Sequence, residues 1–357
     1  MIIPSEFDEI IQGGLSPVVL ALQETFNGEN ARPTYMFRDR LAKRYSVDGT
    51  YKNFGVDNGL IAADVIALDS PLPVKSRPAI SSAAGEIPKI GTELPMNETQ
   101  LKQLRLLKAA GGDIRLVQSL VFSDVRRVYG GVLEQLEAQY LEGLSTGVIV
   151  RDTDNVGLGV RVDFGYDASN SLNASVIWGQ TGYTPISDIA RVIDKIDQDG
   201  KTPTIILLDR NTMGQILKSD EAKALYGAYI GDGTFSVAPT ESKLNEAMRD
   251  AYNVTFEVMN RSVTFEVNGV KKTLKPWGAG QVVILTAEQV GTLVWSDVEE
   301  MTAPVGGVNY TRAEDFILIS QYRTARPSLR QYTGSQAVVL PVIDKNVVYK
   351  LDTKAVA

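Results

Sequence analysis

The chain has 357 residues, is 44% hydrophobic and 22% charged, and carries a formal net charge of −7. This is a globular composition, long enough for a large core and for two or three domains. It contains neither cysteine nor histidine, which excludes disulfides, thiolate nucleophiles, zinc-type sites and Ser-His-Asp or Cys-His mechanisms within the chain, and leaves oxygen atoms as the only metal ligands. The acidic balance opposes a protein that coats nucleic acid sequence-independently, since that needs a basic surface. No apolar run approaches the ~18 residues of a membrane span, and Met1 to Glu6 lack the basic-then-apolar pattern of a signal peptide.

Residues 1–54 are expected to form an arm with some local structure. Glu6 to Ile11 and Pro17 to Phe26 suit short amphipathic helices, separated by Gly13-Gly14. Arg38, Arg40, Lys43 and Arg44 then cluster around one acid, Asp39. They read as a solvated turn, or as a patch for an acidic neighbour or a phosphate backbone.

Residues 55–96 change character. Gly55-Val56-Asp57-Asn58-Gly59 is turn-like, and five prolines between Pro71 and Pro95 oppose helix and central strand alike. An extended, two-stranded excursion is expected. It would be marginally stable alone, so a neighbouring subunit is the economical cover. Asn97 to Ala110 follows as a short helix, with Asn97 and Gln100 spaced for reciprocal capping and Gly111-Gly112 as its stop.

Asp113 to Thr146 is the organising stretch. Ile114, Val117, Val121, Val125, Val128, Val132, Leu136, Tyr140 and Leu144 recur every three or four residues, one stripe of a helix on the order of 50 Å long. Asp113 suits the N-cap and Gly147 the stop. Arg115, Arg126, Arg127, Glu134, Glu137 and Glu142 lie mostly off the stripe and read as its solvated or partner-facing side. Gly130-Gly131 is either tolerated by so long a helix or marks a bend or a close approach.

Val148 to Phe164 reads as a β-hairpin. Its turn holds Asp152, Asp154, Asn155 and Gly157, and Val156 stands where a calcium loop needs oxygen, so a plain turn is favoured. Residues 184–300 behave as an α/β unit: a helix at Pro185–Asp197, an apolar strand at Thr204–Leu208, helices at Asn211–Leu217, Glu221–Tyr226 and Glu241–Tyr252, a strand at Val254–Met259, and a hairpin about Asn268-Gly269. Gln281–Thr286 and Thr292–Trp295 are expected to complete its sheet. Residues 301–357 return to strands at Phe316–Tyr322, Gln336–Ile343 and Val347–Leu351, with Pro341 favouring an edge position. These late strands and the 148–164 hairpin are the expected partners of the long helix. The domains are then 97–183 with 301–357, and an inserted 184–300.

The order of parts resembles the major capsid protein of tailed double-stranded DNA phages, the Hong Kong 97 fold. Leu68-Asp69-Ser70-Pro71-Leu72-Pro73-Val74-Lys75-Ser76-Arg77-Pro78, followed by Ala84-Gly85-Glu86-Ile87-Pro88-Lys89-Ile90-Gly91 and Asn97-Glu98-Thr99-Gln100-Leu101, is similar to the loop and helix start of the lambda-like capsid protein E family. The resemblance implies an α+β fold with an N-terminal arm (1–54), an extended E-loop (55–96), a peripheral domain with a spine helix (113–146), and an axial domain (184–300). It implies pentamers and hexamers in an icosahedral head around double-stranded DNA without sequence-specific binding. It further implies a separate scaffolding protein, a portal protein and room for a decoration protein, with no membrane and no cofactor. The place is the virion, after assembly in the bacterial cytoplasm. Lys75, Arg77, Lys89, Arg126 and Arg127 are the candidate inter-subunit contacts, and Val117, Val121, Val125, Val128, Val132, Leu136 and Tyr140 the spine packing.

Two other readings stand beside it. The same fold serves encapsulin-type cargo compartments, although the loop sequence favours phage. An enzyme would need a carboxylate pair from Glu299-Glu300, Asp152/Asp154 or Asp64/Asp69, and no spacing selects one. Gly157-Leu158-Gly159 and Gly278-Ala279-Gly280 lack the rest of any phosphate-binding fingerprint.

Overall fold

A single helix of 33 residues, Ile114–Thr146, lies against a seven-stranded sheet and meets α1, α2, α3, β6, β11 and β13 on its remaining sides. The computed structural model describes residues 2–3, 5, 15–27, 34–55, 81–109, 114–151, 160–233, 236–267, 270–325 and 328–356. In chain order the first elements are β1 (Ile2–Ile3), α1 (Ser16–Asn27), α2 (Met36–Arg40), β2 (Leu41–Tyr45), β3 (Thr50–Gly55), β4 (Ser81–Glu86) and β5 (Lys89–Met96). Next come α3 (Glu98–Ala109), the spine helix α4 (Ile114–Thr146), β6 (Val148–Arg151), β7 (Val160–Asp163) and β8 (Ser171–Ala174). The α/β part follows as α5 (Pro185–Gln198), β9 (Ile205–Asp209), α6 (Arg210–Lys218), α7 (Asp220–Ile230), α8 (Glu241–Tyr252), β10 (Phe256–Met259), β11 (Val263–Val267), β12 (Val270–Leu274) and β13 (Gln281–Leu285). The chain closes with β14 (Gly291–Ser296), α9 (Glu299–Thr302), β15 (Asn309–Ala313), β16 (Ile317–Thr324), β17 (Arg330–Ile343) and β18 (Val348–Val356).

Local chemistry sets the helix ends. At α3 the Asn97 N–H donates to Gln100 Oε1 at 2.9 Å and the Gln100 N–H donates to Asn97 Oδ1 at 3.0 Å, the reciprocal cap that the spacing predicts. At the far end of α4, Gly147 takes φ +82° and its N–H bonds to the Gly143 carbonyl at 2.8 Å, a stop that a side chain would strain. Asp113, Gly111 and Gly112 lie outside the described residues.

The expected stripe is buried along α4 at Val125, Val128, Val132, Leu136, Tyr140 and Leu144. Val117 and Val121 fall in the first turns of the helix, where side chains are outside the described part. Tyr129, Leu133, Ala138 and Leu141, off the stripe, are buried as well. The C-terminal half is therefore enclosed all round, because α1, α2 and β6 cover the sides that the large sheet leaves open. Full burial of each such side chain is worth roughly 1.5–3 kcal/mol. Glu137 corrects the sequence expectation. It is 1% exposed, not solvated.

The large sheet runs β1-β16-β17-β14-β2, with β15 also on β16 and β5 also on β17. Of the expected partners, β16, β17 and β6 pack on α4, together with β5, which was expected over a neighbour, whereas the strand expected at 347–351 does not. Pro341 pairs with Leu293 beyond the reach of β16 and β5, a locally one-sided position that suits its missing N–H. Residues 15–27 and 34–45 are likewise not a free arm: Val18, Val19, Leu22, Phe26 and Phe37 enter the spine core, and β2 joins the large sheet.

The second sheet runs β10-β9-β13-β18-β8. Two strands exchange places relative to the sequence expectation. Residues 292–295 belong to β14, which pairs with β17 and β2 in the large sheet. Residues 348–351 open β18, which enters the middle of the α/β sheet between β13 and β8. This sheet is a wall between two cores. Val283, Leu285 and Leu207 face the core around α4, while Val282, Ile284, Ile206 and Leu208 face the core under α5, α6 and α8. Burial on both faces is why β9 and β13 are apolar without alternation.

Candidate functional site

The stem of the 55–96 excursion, the N-terminal segment and the strands flanking the β15–β16 turn all send side chains into the core around the spine helix. The stem is the antiparallel pair β3–β4, in register from Thr50↔Glu86 to Gly55↔Ser81, a two-stranded sheet of its own. Gly85 lets it close: a Cβ there would stand 2.9 Å from Tyr51 Cε1. The preceding turn is pinned by Asp48, whose carboxylate accepts from Ser46 Oγ at 2.8 Å and the Thr50 N–H at 3.2 Å. Those bonds hold its pKa down at about 2. Tyr45 packs edge-on to Trp295 at 4.7 Å and its hydroxyl donates to Asp297 at 2.8 Å.

The N-terminal segment is held by charge as well as by apolar contact. The first N–H groups of α2 have no partner within their own helix and no side-chain cap from Tyr35. Glu137 of α4 supplies both acceptors: the Met36 N–H reaches Oε1 and the Phe37 N–H reaches Oε2, each at 3.2 Å. Burial pushes the Glu137 pKa from 4.5 up to about 7, against the lowering effect of those two N–H groups and of Arg261. One turn earlier, Glu134 accepts from Tyr35 Oη at 3.1 Å and is ion-paired with Arg261. The guanidinium groups of Arg38 and Arg261 each lie 5.3 Å from the centre of the Tyr35 ring.

Arg38 also pairs with Glu314, which accepts a hydrogen bond from Tyr129 Oη. Glu314 and Asp315 take φ +50° and +65° in the β15–β16 turn, a left-handed conformation that costs a residue with a Cβ. The buried Glu314 contacts hold it there. Arg40 reaches Glu257 at 3.2 Å and Lys43 reaches Asp315 at 3.6 Å. The basic cluster at 38–44 thus meets acids of its own chain through three of its members.

Of the predicted contact residues the structure describes three, Lys89, Arg126 and Arg127. Lys75 and Arg77 lie outside the described residues, as do the 152–159 turn and Asn268-Gly269. Lys89 is exposed at the start of β5, opposite Val338. On α4, Arg126 lies over the Phe26 ring of α1 at 5.7 Å, and Arg127 is 3.9 Å from Asp124. The sequence reading missed Glu137, Glu314 and Arg261 as a connected set. A signal for the first was present: Tyr129, Leu133 and Leu141 form a second row at four-residue spacing, and Glu137 occupies its gap. Among the described residues no group of acids is placed to hold a metal, and no helix is long and apolar enough to cross a membrane.

The sequence pattern of one family, described as phage major capsid protein E, matches residues 20–347. No curated protein matches the chain. Among solved structures, a protein assigned as a prophage capsid protein of Escherichia coli CFT073 aligns with TM-score 0.55 and 13% identity, over 95% of this chain and 99% of its own. A phage-related protein of Bordetella bronchiseptica RB50 aligns with TM-score 0.52 and 12% identity, over 95% of this chain and 97% of its own. At such identity the two likenesses speak for the fold, and the family match speaks for the role. With its α+β architecture of the Hong Kong 97 type, the chain belongs to the phage major capsid protein E family and is a structural subunit of an icosahedral virion shell.

Proposed function

We propose that this subunit assembles as hexamers and pentamers around double-stranded DNA, with a purely structural role and no catalytic step. The observation that carries the reading is the β3–β4 stem, a two-stranded sheet that pairs with no other strand and whose two strands flank residues 56–80. A two-stranded stem is marginal in water and gains stability by lying on something else. In a closed shell each such contact is multiplied by ring closure, so modest contacts suffice.

In this reading residues 55–86 form the E-loop over an adjacent subunit, and Lys75, Arg77 and Lys89 face that neighbour with Arg126 and Arg127. The peripheral domain is the spine helix with the large sheet. The axial domain comprises β8 to β13 completed by β18, and meets its copies at the five-fold and six-fold centres. Assembly takes place in the bacterial host cytoplasm with a separate scaffolding protein and a portal protein as partners, and the shell leaves room for a decoration protein. The net charge of −7 suits a container from which DNA must leave.

The test is electron microscopy of the protein expressed with its neighbouring genes, beside light scattering of the chain expressed alone. Closed shells of uniform diameter that hold DNA are the expected result. Free monomer in both preparations, without capsomers, sheets or shells, would refute it. Shells that hold a protein cargo and no DNA would indicate a compartment of the encapsulin kind.

A further inference from the structure

Glu137 is a buried carboxyl group that the apolar packing of the spine does not need. It touches the chain where the N-terminal segment lands: its two oxygens take the N–H groups of Met36 and Phe37 at 3.2 Å each. We infer that Glu137 is a proton-operated clamp, which holds segment 34–40 firmly as the neutral acid and weakens that hold when ionised. The direction follows from what undocking does. When 34–40 lifts away, the carboxyl group meets water, where its charged form is stable. When 34–40 docks, that charge must be buried. The neutral acid has no charge to bury and keeps one oxygen as an N–H acceptor.

The charged and titratable groups around it are accounted for. On its own helix stand Glu134, which disfavours a second negative charge, and Tyr140. From the N-terminal segment come Tyr35, Arg38 and Arg40, and from the β10 side Glu257 and Arg261. Arg261 is the cation that acts on Glu137, but its guanidinium is committed to Glu134. Burial is the largest influence and pushes the Glu137 pKa from 4.5 to about 7. The docked state therefore binds the proton more tightly than the undocked state, and docking weakens as pH rises from 4.5 through 7. The consequence for the subunit is a segment leading into β2 that is held tightly in mild acid and loosely above neutrality.

The test is amide hydrogen exchange on the full-length, unassembled chain at pH 5.5 and 8.5, with rates corrected for their intrinsic pH dependence. It needs no shell, so its outcome is independent of the assembly experiment. The opening constant of the Met36 and Phe37 amides is expected to rise about thirtyfold between the two pH values. The Ile206 and Leu207 amides of β9 should change far less. Glu137→Gln, a stand-in for the neutral acid, should lose the pH dependence, and Glu134→Gln should keep it. An unchanged opening constant in the wild type, an equal change at β9, or a full pH response in Glu137→Gln would each overturn the clamp. If Glu137→Gln does not fold, the wild-type series with Glu134→Gln decides the matter.

Discussion

Leu351→Ala tests the least expected feature of the fold, the C-terminal strand inserted between β13 and β8 of the α/β sheet. Leu351 is fully buried, opposite Val282 on β13 and Leu172 on β8, and belongs to the core that includes Trp178. The substitution removes three carbons. At about 0.8 kcal/mol per methylene that forfeits roughly 2.4 kcal/mol of transfer free energy. Strands on both sides prevent full collapse, so a residual cavity adds up to about 2 kcal/mol more. The expected loss is therefore about 2–5 kcal/mol, a large part of a typical domain's stability. Urea unfolding of the unassembled chain, followed by circular dichroism and by Trp178 fluorescence, measures it. Lys354→Ala, at an exposed position of the same strand, is the control and should stay within about 0.5 kcal/mol of wild type. If Leu351→Ala also stays within that limit, β18 does not hold the sheet together and the reasoning fails.

Four further substitutions have outcomes set by individual contacts. Gly143→Ala would place a Cβ 2.6 Å from Phe164 Cε2 and 3.2 Å from Ile149 and Ile343, and should cost about 1–3 kcal/mol in thermal unfolding; Gly131→Ala meets only Thr92 Cγ2 at 3.4 Å and should gain up to about 1 kcal/mol from helix propensity. Asn97→Ala removes one half of the reciprocal cap of α3 and should cost about 1 kcal/mol, read as a lower urea midpoint. Asp188 is buried, which raises its pKa, but bonds from Ser175, Trp178 and Arg191 outweigh this and hold it below the usual carboxylate range. Its stabilising effect is thus present above about pH 4 and fades as pH falls through the lowered value. Asp188→Asn should cost about 1.5–3 kcal/mol at pH 7, and the gap to wild type should narrow at pH 3; a gap that is constant with pH would refute the assignment.

What was legible in the sequence is what short-range chemistry determines. The cap at Asn97, the stop at Gly147, the stripe from Val125 to Leu144 and the β6–β7 hairpin each depend on residues within a few positions of one another. The fold class also emerged, because the loop residues around 68–91 carry a family likeness that the family match over residues 20–347 bears out. Strand partnership was less legible. Residues 291–296 and 281–285 are similar short apolar runs separated by a few residues, yet they join different sheets. The choice is made by β17 and β2 on one side and by β9 and β18 on the other, none of which is a sequence neighbour. The ion pairs beside the spine helix were hidden for a related reason. Glu134, Glu137 and Arg38 resemble any solvated helix face until Arg261 and Glu314 arrive from distant segments to meet them.

This interleaving has a consequence for how the subunit is completed. The large sheet takes strands from both ends of the chain: β2 from 41–45, β5 from 89–96, and β14 to β17 from 291–343. The α/β sheet takes β8, β9, β10 and β13 from the middle and then β18 from the last residues. Neither core can close until residues beyond 330 are available, since β17 lies on the spine helix and β18 separates β13 from β8. Loop-closure entropy must be met before such distant pairings return any free energy, so the fold is expected to form late and as a unit. The separate sheets are also joined mechanically, because strands β9, β13 and β18 each present side chains to both cores. A load on one core is therefore transmitted through packed side chains to the other. The β3–β4 stem pairs with no other strand and reaches the spine core through the side chain of Tyr51, so it is tied to that core by packing and not by strand pairing.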